Sequence, residues 1–148
     1  MTERDSFDIT GFLPYLLNQA AEAASKDFQP EYRKKYGMLR TEWRVLFHLG
    51  RYGQLTAKTI SERASLHKTK VSRAVSALQS KRYLTREEDP SDGRAEQLSL
   101  TREGARVYGD LIKAAATYDA AITADFTPEE DRILRKCLMR ILGGEPGK

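Results

Sequence analysis

The chain is short of the residues that staple or metallate small proteins: of 148 residues, one is cysteine and two are histidine. The single Cys137 excludes an internal disulfide framework and a cysteine-rich zinc site, and His48 and His67 are too few and too scattered for a metal cluster. Long apolar runs are missing too. Nothing approaches the roughly 20 residues that cross a bilayer, and the charged start of the chain, 1–7, lacks the apolar stretch of a signal peptide. A cytoplasmic protein is expected. There is no glycine-rich phosphate loop and no recognisable nucleophile–base frame, so neither an enzyme nor a cofactor is expected.

What is present is an ordinary globular composition, 40% hydrophobic and 31% charged, in a chain long enough for one domain with a real core. The net charge of +4 is modest but unevenly spread. Between Thr56 and Arg86 stand Lys58, Arg63, Lys68, Lys70, Arg73, Lys81, Arg82 and Arg86 against one acid, Glu62, a local excess of +7. The following stretch, 87–96, carries five acids and only Arg94. A basic block alone is commonly a solvated face, so its place in the helical pattern decides what it means.

Apolar residues at helical spacing (Ile9, Phe12, Leu13, Leu16, Leu17, Ala20, Ala24) predict a first helix over 11–26, with Thr10 as cap and Pro14 in its first turn. The polar 28–38, with Pro30 and Gly37, reads as a connection. Thr41 is expected to cap a second helix over 42–49, apolar nearly all round, that Gly50 and Gly53 end. Thr56 caps a short third helix over 57–64 with Ile60 and Ala64 inward. A turn at Ser65 and Leu66 leads to a fourth helix over 68–81. Its core stripe is Val71, Ala74, Val75 and Leu78, and its opposite face presents Lys68, Thr69, Ser72, Arg73 and Ser76.

Two short strands, 84–88 and 95–100, flank the turn-forming Asp89-Pro90-Ser91-Asp92-Gly93. Two helices follow. One covers 102–125; the other opens on Thr127-Pro128-Glu129-Glu130, a cap, a first-turn proline and a capping-box acid, and runs to Leu142 before Gly143-Gly144. Around Cys137, Ile133, Leu134, Leu138 and Ile141 recur at helical spacing, which reads it as a small core residue; the rival reading is a redox switch. The class is mainly α with a small β-hairpin.

Helix, short turn, helix, hairpin is the order of a winged helix-turn-helix, in which a braced pair presents one polar helix face to the major groove. The hairpin tip, Asp92-Gly93-Arg94, has the form of a minor-groove probe whose arginine an aspartate holds extended. Three segments, 41–49 (TEWRVLFHL), 68–86 (KTKVSRAVSALQSKRYLTR) and 89–104 (DPSDGRAEQLSLTREG), resemble the MarR family of winged helix-turn-helix transcriptional regulators. The last holds an Asp-x-Arg wing and a Leu-Thr-x-x-Gly exit into a long helix. Two departures stand out. Arg82 occupies a place where the family usually has glycine, at about 1 kcal/mol if the backbone is left-handed. Gly93 stands where a second wing arginine is frequent.

The resemblance implies a two-fold dimer, with 1–40 and 102–148 forming a helical dimerisation region and 41–101 the DNA-binding lobe. It implies base-reading by Lys68, Thr69, Ser72 and Arg73, phosphate contacts from Thr56, Thr59, Lys70, Ser76 and Arg86, and a minor-groove role for Arg94 supported by Asp92. It also implies a repressor released by a small ligand, aromatic or anionic. Phe12, Tyr15, Asn18, Trp43, Arg44 and Phe47 are the candidate pocket, although Trp43 and Phe47, four apart on a buried helix, equally suit plain core. The alternatives are a winged-helix module that binds protein, or a redox-responsive regulator using Cys137.

Overall fold

The computed structural model describes residues 6–145, the side chains of Asp92, Gly93 and Arg94 excepted. A short 3-10 turn, Ile9–Gly11, leads into α1, Leu13–Tyr36. Thr10 does not cap this helix: its N–H donates to Asp8, and Phe12 takes the cap position without a side-chain bond. Nor does the helix stop near residue 26. It runs through Pro30, so most of the expected connection is helical. Proline inside a helix costs about 3 kcal/mol in a lost bond and a clash. Phe28 and Tyr32, one turn apart, are both buried, and burial of such side chains contributes about 1.5–3 kcal/mol each. Packing therefore overrides the breaker, and Gly37, left-handed at φ 64°, ends the helix with its N–H on the Arg33 carbonyl.

Helix α2, Arg40–Tyr52, exceeds its expected bounds at both ends. Leu39 rather than Thr41 holds the cap position, and Gly50 lies inside the helix. A Cβ at Gly50 would fall 2.5 Å from the Tyr108 ring, so this glycine serves a close approach and not a stop. The two-residue strand β1, Leu55–Thr56, is too short for sequence periodicity to reveal. Helix α3, Ala57–Ala64, and helix α4, Lys68–Ser80, fall where expected, the latter one residue shorter. The Thr56 hydroxyl accepts the Thr59 N–H at 3.1 Å, and His67 Nδ1 accepts the Thr69 N–H at 3.1 Å. Ile60, Ala64, Val71, Ala74, Val75 and Leu78 are all buried, as the spacing requires.

Strands β2, Leu84–Asp89, and β3, Asp92–Leu100, form the hairpin, and β1 joins it in an antiparallel order β1-β3-β2 with Leu55 opposite Leu98. Arg82 is left-handed at φ 64°, as its replacement of glycine implied. The Thr101 hydroxyl donates to the Arg82 carbonyl at 2.7 Å and accepts the Gly104 N–H at 3.0 Å. A Cβ on Gly104 would meet the Tyr83 carbonyl at 1.9 Å. The Leu-Thr-x-x-Gly exit thus has a physical account: threonine fastens the strand end and caps the next helix, and glycine lets the two backbones touch. Helix α5, Arg102–Ile122, stops short of 125. Helix α6, Pro128–Leu142, carries the full capping box, with Thr127 and Glu130 exchanging backbone-to-side-chain bonds of 2.9 and 3.1 Å.

The core lies between the second half of α1, α2, α3, α4, the hairpin and the first half of α5. The start of α1 and the whole of α6 stand apart from it. Ile9, Leu13 and Leu16 are exposed, and no residue of α6 is buried. Cys137 is likewise exposed, so within the single chain it is not a core residue. Its apolar neighbours share one helix face but find no partner helix among the described residues. None of the helices described is long and apolar enough to cross a membrane.

Candidate nucleic-acid interface and the cavity behind it

The buried stripe of α4 fixes what its other side shows. With Val71, Ala74, Val75 and Leu78 turned inward, Lys68, Thr69, Lys70, Ser72, Arg73 and Ser76 are all exposed. A groove between α3 and α4 is lined by Lys58, Ser61, Glu62, Lys68, Thr69, Ser72 and Arg73. It brings together the four side chains expected to read bases. Lys58 joins them across the groove. It belonged to the basic block but was assigned no role, because spacing on one helix does not show what a neighbouring helix places opposite.

Other expected contacts are engaged within the chain. Thr56 and Thr59 bond each other through their hydroxyls at 3.0 Å while capping α3. Arg86 bridges helix and wing: its Nε donates to Gln79 at 2.9 Å, one Nη donates to Ser76 at 3.0 Å, and the other lies 3.7 Å from Glu96. That bracket holds β2 against the solvent side of α4. Asp92 and Arg94, the expected wing probe and its support, lie outside the residues whose side chains are described. Below the tip, Asp89 accepts the Ser91 N–H at 2.9 Å and the Gln97 amide at 3.1 Å, closing the turn at the hairpin.

The bracket carries a prediction. Replacing Arg86 by alanine is expected to weaken DNA binding by about 1–2 kcal/mol through loss of charged hydrogen bonds that orient the wing. The slope of log affinity against log salt should stay unchanged. Fluorescence titration at several salt concentrations checks this; a slope lower by about one per protomer would instead place Arg86 on a phosphate.

On the far side of α2 is a cavity of about 280 Å³, lined by Ser25, Phe28, Tyr32, Arg40, Trp43, Arg44 and Phe47. Two crevices continue it, one along α1 through Tyr32 and Arg40, the other toward α5 through Phe28 and Trp43 to Tyr118. Its walls are an aromatic cluster: Trp43 stacks on Tyr32 at 6.2 Å and meets Phe28 at 5.8 Å and Phe47 edge-on at 5.1 Å. Of the expected pocket residues, Trp43, Arg44 and Phe47 line this cavity. Phe12, Tyr15 and Asn18 do not: they are exposed near the start of α1. Phe28 and Tyr32 were missed because 28–38 read as a connection, and Arg40 because it preceded the expected start of α2 at Thr41. The i, i+4 spacing of Phe28 and Tyr32 was the available signal.

Two arginines face this space. Arg40 pairs with Glu22 at 2.8 Å. Arg44 is half-buried and donates to the Ala64 backbone carbonyl. Burial, and then the like charge of Arg40, press against its cationic form and lower its pKa. His48, one turn further on, stacks on Phe47 at 4.5 Å and bonds the Arg44 carbonyl at 2.6 Å; burial pulls its pKa down. It is a structural histidine. At the end of α1, the Tyr36 hydroxyl donates to Asp110 of α5, which pushes the phenol up to about 12.

Residues 36–95 match a family model described as the MarR family. The chain is 25% identical over 118 residues to an uncharacterized HTH-type transcriptional regulator, YwoH, of Bacillus subtilis, spanning 80% of this chain and 85% of that one. Its fold is similar to that of a cysteine-to-serine mutant of MarR from E. coli, solved with operator DNA, at TM-score 0.80 and 19% identity, covering 93% of this chain and 99% of the other. It is also similar to BpsR of Bordetella bronchiseptica, whose regulation of DNA binding by 6-hydroxynicotinic acid has been studied structurally. That match has TM-score 0.82 and 16% identity and covers 94% of this chain and 99% of BpsR.

Proposed function

We propose that the chain, which matches the MarR family model over residues 36–95, is a DNA-binding transcriptional regulator of that family and acts in the cytoplasm as a homodimeric repressor of a pseudo-palindromic operator, released by a small aromatic anion. The observation that carries this reading is the groove between α3 and α4. It gathers Lys58, Lys68, Thr69, Ser72 and Arg73, cations and hydroxyls that meet phosphates and base edges, above a fully apolar inner stripe. Lys68, Thr69, Ser72 and Arg73 read bases. Lys70 reaches phosphate, and Thr56, Thr59, Ser76 and Arg86 hold the frame beside it. Arg94, supported by Asp92, is assigned to the minor groove.

The dimer reading rests on unpartnered apolar surface. Residues 1–40 and 102–148 form the dimerisation region, and 41–101 the DNA-binding lobe. A two-fold partner over α6 and the start of α1 covers Ile133, Leu134 and Ile141 together with Leu13 and Leu16, and packs Cys137 among them. Such a dimer sets two copies of α4 about one DNA turn, roughly 34 Å, apart. The effector reading rests on the cavity: an arginine pair beside four aromatic rings suits the face and carboxylate of an aromatic acid. BpsR, whose DNA binding responds to an aromatic acid, supports that class.

The test is fluorescence anisotropy of a labelled fragment from upstream of the chain's own gene, with a salt series, a scrambled competitor and added benzoate. Binding is expected to be selective, to fall steeply with salt, and to weaken with benzoate. Equal, weak binding to both fragments would overturn sequence-specific regulation at that site. Failure of a folded dimer to bind DNA at low salt would favour a protein-binding role for the winged lobe.

A further inference from the structure

We infer that Arg44 is a latch: a carboxylate entering the cavity behind α2 draws its guanidinium off the Ala64 carbonyl and so loosens the turn that aims α4. The inference rests on the proposed effector cavity and adds the route by which its occupancy reaches the DNA-binding face.

Arg44 faces two ways. It lines the cavity beside Trp43 and Phe47, and it donates to the carbonyl of Ala64, the last residue of α3. That carbonyl is among those a helix end leaves without a partner, and a cation there also meets the negative end of the helix dipole. The residues that follow are the turn itself. Ser65 is left-handed at φ 53°, an uncommon state for a residue with a side chain. Leu66 follows, its N–H on the Ser61 carbonyl at 3.1 Å and its carbonyl accepting the Ser61 hydroxyl. His67 then caps α4. Every other polar tie in this turn comes from α3 or α4. Among the described residues, Arg44 supplies the tie from α2.

The latch is poised to open because no carboxylate among the described residues balances it. Its bond is to a neutral carbonyl, and the charge that acts on it is the like charge of Arg40, whose own partner is Glu22. A carboxylate in the cavity offers a charged, two-pronged acceptor in place of a single carbonyl, and guanidinium bonds of that kind are roughly twice as strong. The exchange gives the ligand a higher affinity for the unlatched state, which any effector must have to shift the equilibrium. By reciprocity, operator DNA weakens the ligand by the same factor.

Trp43, the one tryptophan in the chain, stands in the cavity wall and reports occupancy by its fluorescence. The probes are benzoate, 6-hydroxynicotinate and the neutral benzamide, with the labelled upstream fragment as DNA. In the unmodified protein, benzoate is expected to quench Trp43, to weaken DNA binding about tenfold, and to speed amide exchange over 62–67; benzamide should do none of these. Arg44→Met should bind DNA about tenfold more weakly without ligand and show no further loss with benzoate. If benzoate quenches Trp43 and releases DNA, yet exchange over 62–67 is unchanged and Arg44→Met is still released, the latch is wrong while the effector reading stands. If neither acid quenches Trp43 or shifts DNA binding, the effector reading falls and the latch with it. Should Arg44→Met fail to fold, the exchange measurement on the unmodified protein decides.

Discussion

Reversing the charge at Arg73 is expected to abolish operator binding while leaving the proposed dimer and the stability of the fold intact. Arg73 is exposed on α4, with no hydrogen bond or ion pair of its own among the described residues, so no intramolecular contact is lost. Arginine and glutamate have similar helix propensities, so α4 itself should not suffer. The cost falls on the complex. A well-placed arginine on a base contributes about 1–3 kcal/mol of discrimination, and a two-fold dimer uses it twice. Glutamate also places a negative charge beside phosphates. The expected loss is about 3 kcal/mol or more, roughly a hundredfold in Kd. Anisotropy titration checks the affinity, and analytical ultracentrifugation and thermal melts check assembly and folding. Arg73→Lys is the informative partner. It keeps the charge and most of the salt dependence but lacks the planar fork, so selectivity over scrambled DNA should fall more than raw affinity. An Arg73→Glu protein that binds as well as its parent would remove α4 from the interface.

The second large effect is expected at α6. Leu134→Asp with Ile141→Asp places two carboxylates on a helix face that is 40% and 53% exposed at those positions in the single chain. If that face were only solvated, the change would be almost silent, within about 0.5 kcal/mol. If a second copy covers it, four apolar side chains are lost per dimer. Each side chain is already about half covered in the single chain, so its remaining burial contributes about 0.7–1.5 kcal/mol, and the dimer weakens by about 3 kcal/mol or more before the cost of burying charge is counted. The variant should then sediment as a monomer, melt at a temperature that no longer rises with concentration, and lose cooperative binding to a two-half-site operator. A monomeric parent, or a variant that remains dimeric, would rule out the α6 interface. Because α6 is tied to α5 by the exposed Arg135–Asp119 pair at 3.2 Å, some loss of helicity on dissociation is expected.

The helix-turn-helix was legible because local rules and packing agree there. Thr56 caps as its chemistry suggests, and the i, i+3, i+4, i+7 stripe of α4 is buried throughout. A residue's side of that helix follows from its position in the repeat, so the exposure of Lys68, Thr69, Ser72 and Arg73 followed as well. Arg82 was legible for a different reason: the sequence departs from the family's glycine at a place where the backbone is left-handed. The reading failed where a local signal met a stronger long-range one. Pro30 and a polar stretch argued for a loop, and burial of Phe28 and Tyr32 against α2 and α5 outweighed them. Gly50 looked like a stop, but the approach of Tyr108 from α5 explains it.

The sequence by itself determined the order of elements, the polar face of α4 and the capping of α3 and α6. These depend on residues within a turn or two of each other, whose interactions the chain's periodicity displays. Only the tertiary structure decided what the far sides of those elements meet. Arg44 and Ala64 stand 20 residues apart, and no spacing rule pairs an arginine on one helix with the last carbonyl of another. Arg86, to which the resemblance assigns a phosphate, is set by the hairpin's register against Ser76, Gln79 and Glu96, a bracket that no spacing rule displays. Cys137 follows the same logic in reverse. Its apolar neighbours describe a helix face faithfully, but periodicity cannot say whether that face is covered by its own chain, and among the described residues it is not. One-dimensional patterns record which side of an element is apolar; which surface lies against it is set by the path of the rest of the chain.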